Sequence, residues 1–304
     1  MKIGTRGSPL ALWQANEVQS LLMKAHGLDE AGVQVSTFKT TGDKIQDKSL
    51  SEFGGKGLFT KEIEDALLSG EIALAVHSMK DMPTVLPDGL EIACILPRED
   101  VRDAFLSEKA ASLTELPEGA VVGTSSLRRQ AQVRRLRPDL NVVEFRGNVE
   151  TRLRKLAEGV ADATFLAAAG LKRLGKAGHI TGYVDTDEML PAVAQGAICI
   201  EIRSDDTTTR NLLKAIHHEE TALCVAAERA FLKQLDGSCR TPIAGLAELD
   251  GGLLRFRGQI LTPDGTVSHE TEREGSASDG EEMGLDAARE LLGLGGDDFF
   301  KALE

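Results

Sequence analysis

The sequence describes an acidic globular chain of 304 residues, with a net charge of −13 and 41% hydrophobic residues. At about 150 residues per domain, this length predicts two or three domains. The acidity argues against nucleic acid as a general partner, and no apolar run reaches the roughly 18 residues of a membrane span. The N-terminal residues lack the apolar stretch of a secretory signal, so we expect a cytoplasmic protein.

The four cysteines show no spacing typical of a zinc site, and without an export signal we expect reduced thiols. Cys94, Cys199 and Cys224 lie in apolar stretches, where a buried small side chain is the simplest interpretation. Cys239 lies instead in the polar segment 236–242, where an apolar filler has little reason to be. The sequence therefore singles out Cys239 for a chemical role, and it predicts no metal site.

The first part of the chain alternates short apolar strands with amphipathic helices. Ser8 and Pro9 suit the N-cap and first position of a helix that Gly27 would end. Such alternation predicts a parallel or mixed α/β sheet. The predicted elements are a strand at 2–5, the helix from Pro9, a strand at 33–40, a helix at 58–68 and a strand at 72–77.

A similar order, strand, Gly-Thr, serine cap and helix, recurs at Gly123-Thr124. A late apolar strand at 197–202 could return to the first sheet, whereas the residues after Glu219 show an α+β pattern with turn signals. We therefore predict two similar α/β domains, joined by a hinge near 97–103, and a C-terminal α+β domain with a small antiparallel sheet. The predicted domains are 1–97 with 197–215, 102–192, and 219–304. The further elements are helices at 127–136, 151–158, 219–235, 286–292 and 298–303, strands at 142–145, 163–168, 243–249, 253–261 and 266–272, and a loose loop at 274–282.

Both strand-to-helix junctions present a serine cap at the C-terminal edge of a predicted sheet, where helix N-termini favour carboxylates. Arg6 and Ser8 flank the first junction, and Ser126 with Arg128 and Arg129 occupies the second. Capping explains the serines, but two arginines in a first helical turn oppose the helix dipole, and a ligand anion would offset that cost. Residues 128–155 include nine basic and three acidic residues, which predicts a local basic surface that could bind an anionic ligand. The alternative is that these basic residues lie on a solvated helix face.

Asp81 falls just past the predicted strand at 72–77, on the same sheet edge. Beside Lys80 it could be a surface pair or a turn residue, but the basic junctions favour a catalytic carboxylate, buried among cations. Such a group can protonate a leaving amine and stabilise a developing positive charge. Gly54–Gly57 lacks the full phosphate-loop pattern, which argues against a nucleotide-dependent transferase and favours a glycine-rich loop presenting Lys56.

Seven segments form a recognisable set in one order. They read TRGSPLALWQA at 5–15, GGKGLF at 54–59, AVHSMKD at 75–81, GTSSLRRQ at 123–130, RGNV at 146–149 with TRL at 151–153, AGLKRL at 169–174 and LPAVAQG at 190–196. Spread over essentially the whole chain, these segments closely resemble the hydroxymethylbilane synthase (porphobilinogen deaminase) family. The departures are Glu52, where some relatives have lysine, and Ser238, where glycine is common before the cysteine.

The resemblance implies two domains like type II periplasmic binding proteins and a third that holds a dipyrromethane cofactor through a thioether to Cys239. It implies a monomeric, cytoplasmic transferase of tetrapyrrole and haem biosynthesis, with no metal, membrane or nucleic-acid partner. The reaction would condense four porphobilinogen molecules stepwise, releasing ammonia and then hydroxymethylbilane. A two-lobed anion-binding or sensor protein is the alternative, but it has no use for the thiol. Asp81 would be the catalytic residue, and an active-site loop would include Lys56 and Phe59. The cofactor would be bound by Lys80, Thr124, Ser126, Arg128, Arg129 and Arg146. The substrate would be bound by Arg6, Ser8, Arg152, Arg173 and Gln195.

Overall fold

The computed structural model describes residues 1–44, 60–235 and 242–301. The chain divides into two compact units, the first formed by 1–99 with 196–222 and the second by 100–195 with 223–304. In the described residues the first unit holds one five-stranded sheet, and the second holds a five-stranded and a three-stranded sheet. The boundaries of the three predicted domains stay a prediction.

The elements lie close to their predicted positions over most of the chain. In chain order they are β1 (Lys2–Arg6), α1 (Pro9–His26), β2 (Gln34–Phe38), α2 (Thr41–Lys44), α3 (Lys61–Leu68), β3 (Leu74–Ser78), β4 (Leu90–Ile95), β5 (Asp103–Ser107), β6 (Val121–Gly123), α4 (Leu127–Leu136), β7 (Asn141–Val143), α5 (Val149–Ala157), β8 (Ala163–Ala167), α6 (Ala168–Arg173), β9 (Gly182–Tyr183), β10 (Ile198–Arg203), α7 (Thr207–Leu213), α8 (Glu219–Gln234), β11 (Ile243–Asp250), β12 (Leu253–Leu261), β13 (Ser268–Ser276) and α9 (Gly280–Lys301).

The two five-stranded sheets share one topology. The first has the order β2-β1-β3-β10-β4 and the second β7-β6-β8-β5-β9. In each, the three strands at one end are parallel, and the fourth strand in spatial order is antiparallel to both neighbours. The prediction of two similar type II periplasmic-binding-protein-like domains is confirmed, as is the return of the late strand, β10, to the first sheet.

Helix α1 follows the predicted pattern of caps. The Ser8 hydroxyl accepts a hydrogen bond from the Ala11 N–H, Pro9 begins the helix, and Gly27 ends it with a φ of 63°. Its buried face includes Val18 and Leu22, which pack into a core built from the first sheet. This packing fixes the N-terminal end of α1 beside the C-terminal end of β1.

The repeated Gly-Thr pair has a packing cause in both sheets. A Cβ atom on Gly4 would lie 2.3 Å from the Cδ1 atom of Ile72, and one on Gly123 would lie 2.6 Å from the Phe145 ring. Neither strand therefore accepts a larger residue without moving its neighbour. The glycines let an apolar side chain cover the strand just before it turns into the capped helix.

The three-stranded sheet is antiparallel, with the order β11-β12-β13, and α9 packs against β12 and β13. The small C-terminal antiparallel sheet is therefore confirmed, but the predicted loose loop at 274–282 is wrong. β13 pairs with β12 along its whole length to Ser276, and α9 begins at Gly280. Polar side chains suit β13 because it is an edge strand with several exposed residues. Gly296, with a φ of 64°, interrupts α9 and accounts for the two predicted C-terminal helices.

Two kinds of feature are absent from the ranges that the structure describes. No helix there is long and apolar enough to cross a membrane. No group of three or more His, Cys, Asp or Glu side chains there could hold a metal ion.

Candidate active site

The first unit has a small cavity, open to solvent, at the C-terminal edge of its sheet. Arg6 ends β1, Ser8 caps α1, and Asp81 follows β3, so the parallel pairing of β1 with β3 brings these three residues to one edge. The predicted grouping of Arg6, Ser8 and Asp81 is thus observed. The cavity is lined by Arg6, Ser8, Leu10, Ala11, Gln14, Thr60, Val76, His77, Ser78, Asp81 and Met82.

Asp81 ends the 3₁₀ turn Met79–Asp81, which directly follows β3. The turn buries Met79 and Met82 and leaves Asp81 exposed, so the expectation of a buried carboxylate is wrong. Among the described residues Asp81 has no hydrogen-bond or ion-pair partner. Its carboxylate oxygens are therefore accessible to a ligand in the cavity.

Gln14 and Ser78 are cavity residues that the sequence analysis missed. The Gln14 side-chain amide donates a 2.8 Å hydrogen bond to the Ser78 hydroxyl, joining α1 to the end of β3. A signal was present, because Gln14 is a polar residue on the buried face of α1 that carries Val18 and Leu22. A buried polar side chain on such a face calls for a partner.

A buried cluster of titratable side chains lies next to this cavity. The Nε2 atom of His77 on β3 lies 3.2 Å from the Oε2 atom of Glu201 on β10, and both side chains are almost wholly buried. Glu64 on α3 is also buried. Burial raises the pKa of Glu64, and the Glu201 carboxylate raises it further, against opposing effects of Thr60 and His77.

This raised pKa predicts a pH-dependent effect of Glu64→Gln on stability. The folded state favours protonated Glu64, so its stabilising contribution is present below the ordinary pKa of 4.5 and is lost as the pH rises through the folded pKa. The measurement is the difference in thermal midpoint between Glu64→Gln and wild type at about pH 4 and at about pH 8. We expect this difference to favour the variant more at about pH 8 than at about pH 4. Glu71→Gln is the control, because Glu71 is exposed and lies just after α3. An equal difference at both pH values would contradict the prediction.

In the second unit, Arg128 and Arg129 share a carboxylate of the protein itself. Arg128 Nη2 lies 2.8 Å from Asp103 Oδ2, and Arg129 Nη2 lies 2.7 Å from Asp103 Oδ1. Both arginines are only 5% exposed, and Asp103 is 1% exposed. The predicted basic surface therefore needs correction, because Asp103 supplies the anion that offsets these two charges against the helix dipole.

The electrostatics of this cluster favour an ionised Asp103. Burial alone would raise the pKa of its carboxyl, but the charges of Arg128 and Arg129 and the hydrogen bonds from Arg129 and Gln195 hold that pKa well below its usual range. Gln195 is fully buried, and its amide donates to Asp103 Oδ1 and to the Val101 carbonyl, each at 2.8 Å. Gln195 is thus linked to Arg128 and Arg129 by their shared contact with Asp103, a residue that the sequence did not single out.

The remaining predicted site residues occupy different elements. Ser126 caps α4, accepting from the Arg129 N–H, and buried Thr124 accepts from the Ser126 N–H at 3.2 Å. Lys80 precedes Asp81 in the 3₁₀ turn. The half-buried arginines are Arg146, which pairs with Glu144, Arg152 on α5 and Arg173 at the end of α6. Lys56, Phe59 and Cys239, with Glu52, Ser238 and the 54–57 loop, lie outside the described residues.

The three described cysteines form no disulfide bond and are buried, as predicted. Burial raises the pKa of the Cys94 thiol to about 12, which disfavours its reactive thiolate. These thiols are small core side chains.

Comparison with known proteins identifies the family. Residues 1–211 match the family model described as porphobilinogen deaminase, dipyromethane cofactor binding domain, and residues 222–293 match that of the C-terminal domain. The chain belongs to the porphobilinogen deaminase family. The alternative of a binding or sensor protein without catalysis is therefore set aside.

Curated members of this family resemble the chain over nearly its full length. A porphobilinogen deaminase from Paracoccus denitrificans is 62% identical over 300 residues, covering 99% of this chain and 96% of that protein. One from Nitrobacter hamburgensis is 58% identical over 298 residues, covering 98% and 94%. Among solved structures, a periplasmic substrate-binding protein of an ABC transporter from Coxiella burnetii matches with a TM-score of 0.45 at 16% identity, covering 75% of this chain and 96% of that one. The fold assignment rests on the strand orders described above.

Proposed function

We propose that Asp81 is the catalytic carboxylate of this family member and that its arginines bind the carboxylates of cofactor and substrate. The chain is a transferase of tetrapyrrole biosynthesis that condenses porphobilinogen stepwise, with loss of ammonia, into hydroxymethylbilane, and its cofactor is dipyrromethane. The observation that supports the role of Asp81 most directly is its unpartnered position, among the described residues, in the cavity that Arg6 and Ser8 also line.

The donor set of the second unit fits a carboxylate-bearing cofactor. Arg128 and Arg129 face the single carboxylate of Asp103, which leaves one positive charge, and the buried Arg128 Nε has no hydrogen-bond partner among the described residues. Acetate and propionate groups suit such donors, since guanidinium–carboxylate pairs are strong and directional. We propose that Thr124, Ser126, Arg128 and Arg129 hold dipyrromethane, together with Lys80 and Arg146, and that Cys239 anchors it.

Porphobilinogen carries an aminomethyl group and two carboxylates, and its loss of ammonia leaves an electrophilic azafulvene. When bound, the cofactor supplies the pyrrole carbon that attacks this electrophile. Asp81 protonates the departing amine and then stabilises the positive charge on the pyrrole nitrogen. Arg6, with the N-terminal turn of α1 that Ser8 caps, holds a substrate carboxylate in the same cavity. Arg152, Arg173 and Gln195 are the further substrate contacts of the proposal, and Lys56 and Phe59 belong to its active-site loop.

The proposal includes a monomer in the cytoplasm without nucleic-acid or membrane partners. The net charge of −13 supports the exclusion of nucleic acid, because a polyanion and an acidic protein repel each other.

Incubation of the purified chain with porphobilinogen tests the function. We expect one ammonium ion per porphobilinogen consumed and an open-chain tetrapyrrole as the product, identified by mass spectrometry. Binding of porphobilinogen without ammonium release would overturn the assignment and favour a binding protein.

A further inference from the structure

The Asp103 cluster consists of Asp103, Arg128, Arg129 and Gln195. Ligand binding alone does not explain how its two arginines are held in place. Two guanidinium groups lie almost fully buried in the first turn of α4, where the helix dipole and their mutual repulsion both disfavour them. In the described part of the chain, one carboxylate, that of Asp103, contacts both. Removing one partner of a buried charge cluster leaves an uncompensated charge, so the arrangement of the arginines depends on Asp103.

The contacts of Asp103 fix the orientation of both arginines. Its Oδ2 atom accepts from Arg128 Nη2 at 2.8 Å and from Arg129 Nε at 3.1 Å, and its Oδ1 atom accepts from Arg129 Nη2 at 2.7 Å. Backbone carbonyls complete the frame, because Arg128 Nη1 donates to Leu190 O and Arg129 Nη1 donates to Phe165 O, each at 2.9 Å. Each guanidinium plane is therefore set by at least two acceptors.

The cluster has an unbalanced positive charge and, within the described residues, an unused buried donor, both of which suit a ligand carboxylate. Two arginines and one aspartate carry a net charge of +1, and the Nε donor of Arg128 is buried without a hydrogen-bond partner among the described residues. A buried donor without a partner is costly, and a ligand carboxylate would satisfy it. The cluster thus has one positive charge more than its own carboxylate balances, and at Arg128 Nε it has a buried donor that no described residue accepts from.

We propose that Asp103 is a positioning residue for the known reaction: it orients Arg128 and Arg129, and it limits their charge so that the pair accepts one ligand carboxylate. Gln195 supports Asp103 by donating to its Oδ1 atom. This inference rests on the proposed function, because the ligand carboxylate is that of dipyrromethane or of the chain built on it.

The variant Asp103→Asn tests the proposal, since it keeps the shape of the side chain and removes its charge. We expect the fraction of protein carrying the mass of two pyrrole units to fall, and the KM for porphobilinogen to rise about 10- to 100-fold, as for one lost charge-assisted hydrogen bond. We expect kcat, expressed per cofactor-bearing molecule, to change much less, because Asp81 is intact. Assays run well below the thermal midpoint of the variant separate ligand binding from unfolding.

Asp162→Asn is the matched control. Asp162 also lies in the second unit, where it accepts a hydrogen bond from the Val121 N–H and pairs with Lys109. It should lower the thermal midpoint without changing the KM or the cofactor-bearing fraction. Gln195→Met is the second variant if Asp103→Asn does not fold. Because Gln195 is also a proposed substrate contact, the readout that reports on Asp103 is the cofactor-bearing fraction, which should fall by about 3- to 10-fold, the size of one neutral hydrogen bond.

Wild-type-like KM and cofactor-bearing fraction in folded Asp103→Asn would overturn the proposal, as would a wild-type-like cofactor-bearing fraction in Gln195→Met where Asp103→Asn does not fold. An equal KM change in Asp162→Asn would also overturn it, because the effect would then be one of general stability. Failure of the proposed function is distinguishable, since the wild-type chain itself would then release no ammonium from porphobilinogen.

Discussion

Asp81→Asn protein should convert porphobilinogen at least about 100-fold more slowly than wild type, the loss expected on removing a group that stabilises charge in the transition state. The substitution keeps the size of the side chain but removes the charge that stabilises the pyrrole cation and the oxygen that carries the proton. Because Asp81 is exposed and has no partner among the described residues, the fold should not depend on it. Initial rates of ammonium release measure the effect.

Asp88→Asn is the control, because Asp88 is also exposed and lies in the segment after the 3₁₀ turn, yet it does not line the cavity. Its rate should equal that of wild type. An Asp81→Asn rate within a few-fold of wild type, with an unchanged thermal midpoint, would remove Asp81 from the mechanism.

Cys239→Ser protein should lack the mass of two pyrrole units that wild-type protein carries. A serine hydroxyl is a far weaker nucleophile than a thiolate, so no thioether or equivalent ether should form. Intact-mass spectrometry of both proteins measures the adduct, and acidic p-dimethylaminobenzaldehyde reports the dipyrrole by its colour. We expect activity to fall to background along with the adduct.

Cys224→Ser is the control for the thiol, since Cys224 is a buried cysteine without a disulfide bond, and the variant should keep the adduct. Retention of the two-pyrrole mass in Cys239→Ser would place the attachment at another residue.

Local patterns in the sequence predicted the parts of the fold that depend on neighbouring residues. Ser8, Pro9 and Gly27 mark the ends of α1 by chemistry that acts within one helical turn. The strands β4 and β5 were missed because their pairing is long-range: β4 pairs with β10, and β5 pairs with β8 and β9. β5 also begins with a charged residue, Asp103, and a charged residue there is typical of a linker. Its burial is explained only by its arginine partners, which lie later in the chain.

The candidate site also has features that the local sequence predicts and features that depend on distant residues. The meeting of Arg6, Ser8 and Asp81 at one sheet edge follows from strand ends, which the sequence shows. The anion beside Arg128 and Arg129 was predicted as a ligand, but Asp103 supplies it from 25 residues earlier in the chain. The exposure of Asp81 likewise depends on the 3₁₀ turn, whose direction the residue types do not reveal.

The position of β10 inside the first sheet constrains the order in which the chain can fold during synthesis. β4 is an edge strand that pairs with β10 and with no other described strand, and β10 emerges from the ribosome about 100 residues after it. Until then β3 keeps an unpaired edge and β4 has no partner in the sheet. Residues 100–195, the earlier part of the second unit, are synthesised during this interval. The edge of β3 that β10 later covers is exposed in the nascent chain throughout it, and an unpaired strand edge is open to mispairing.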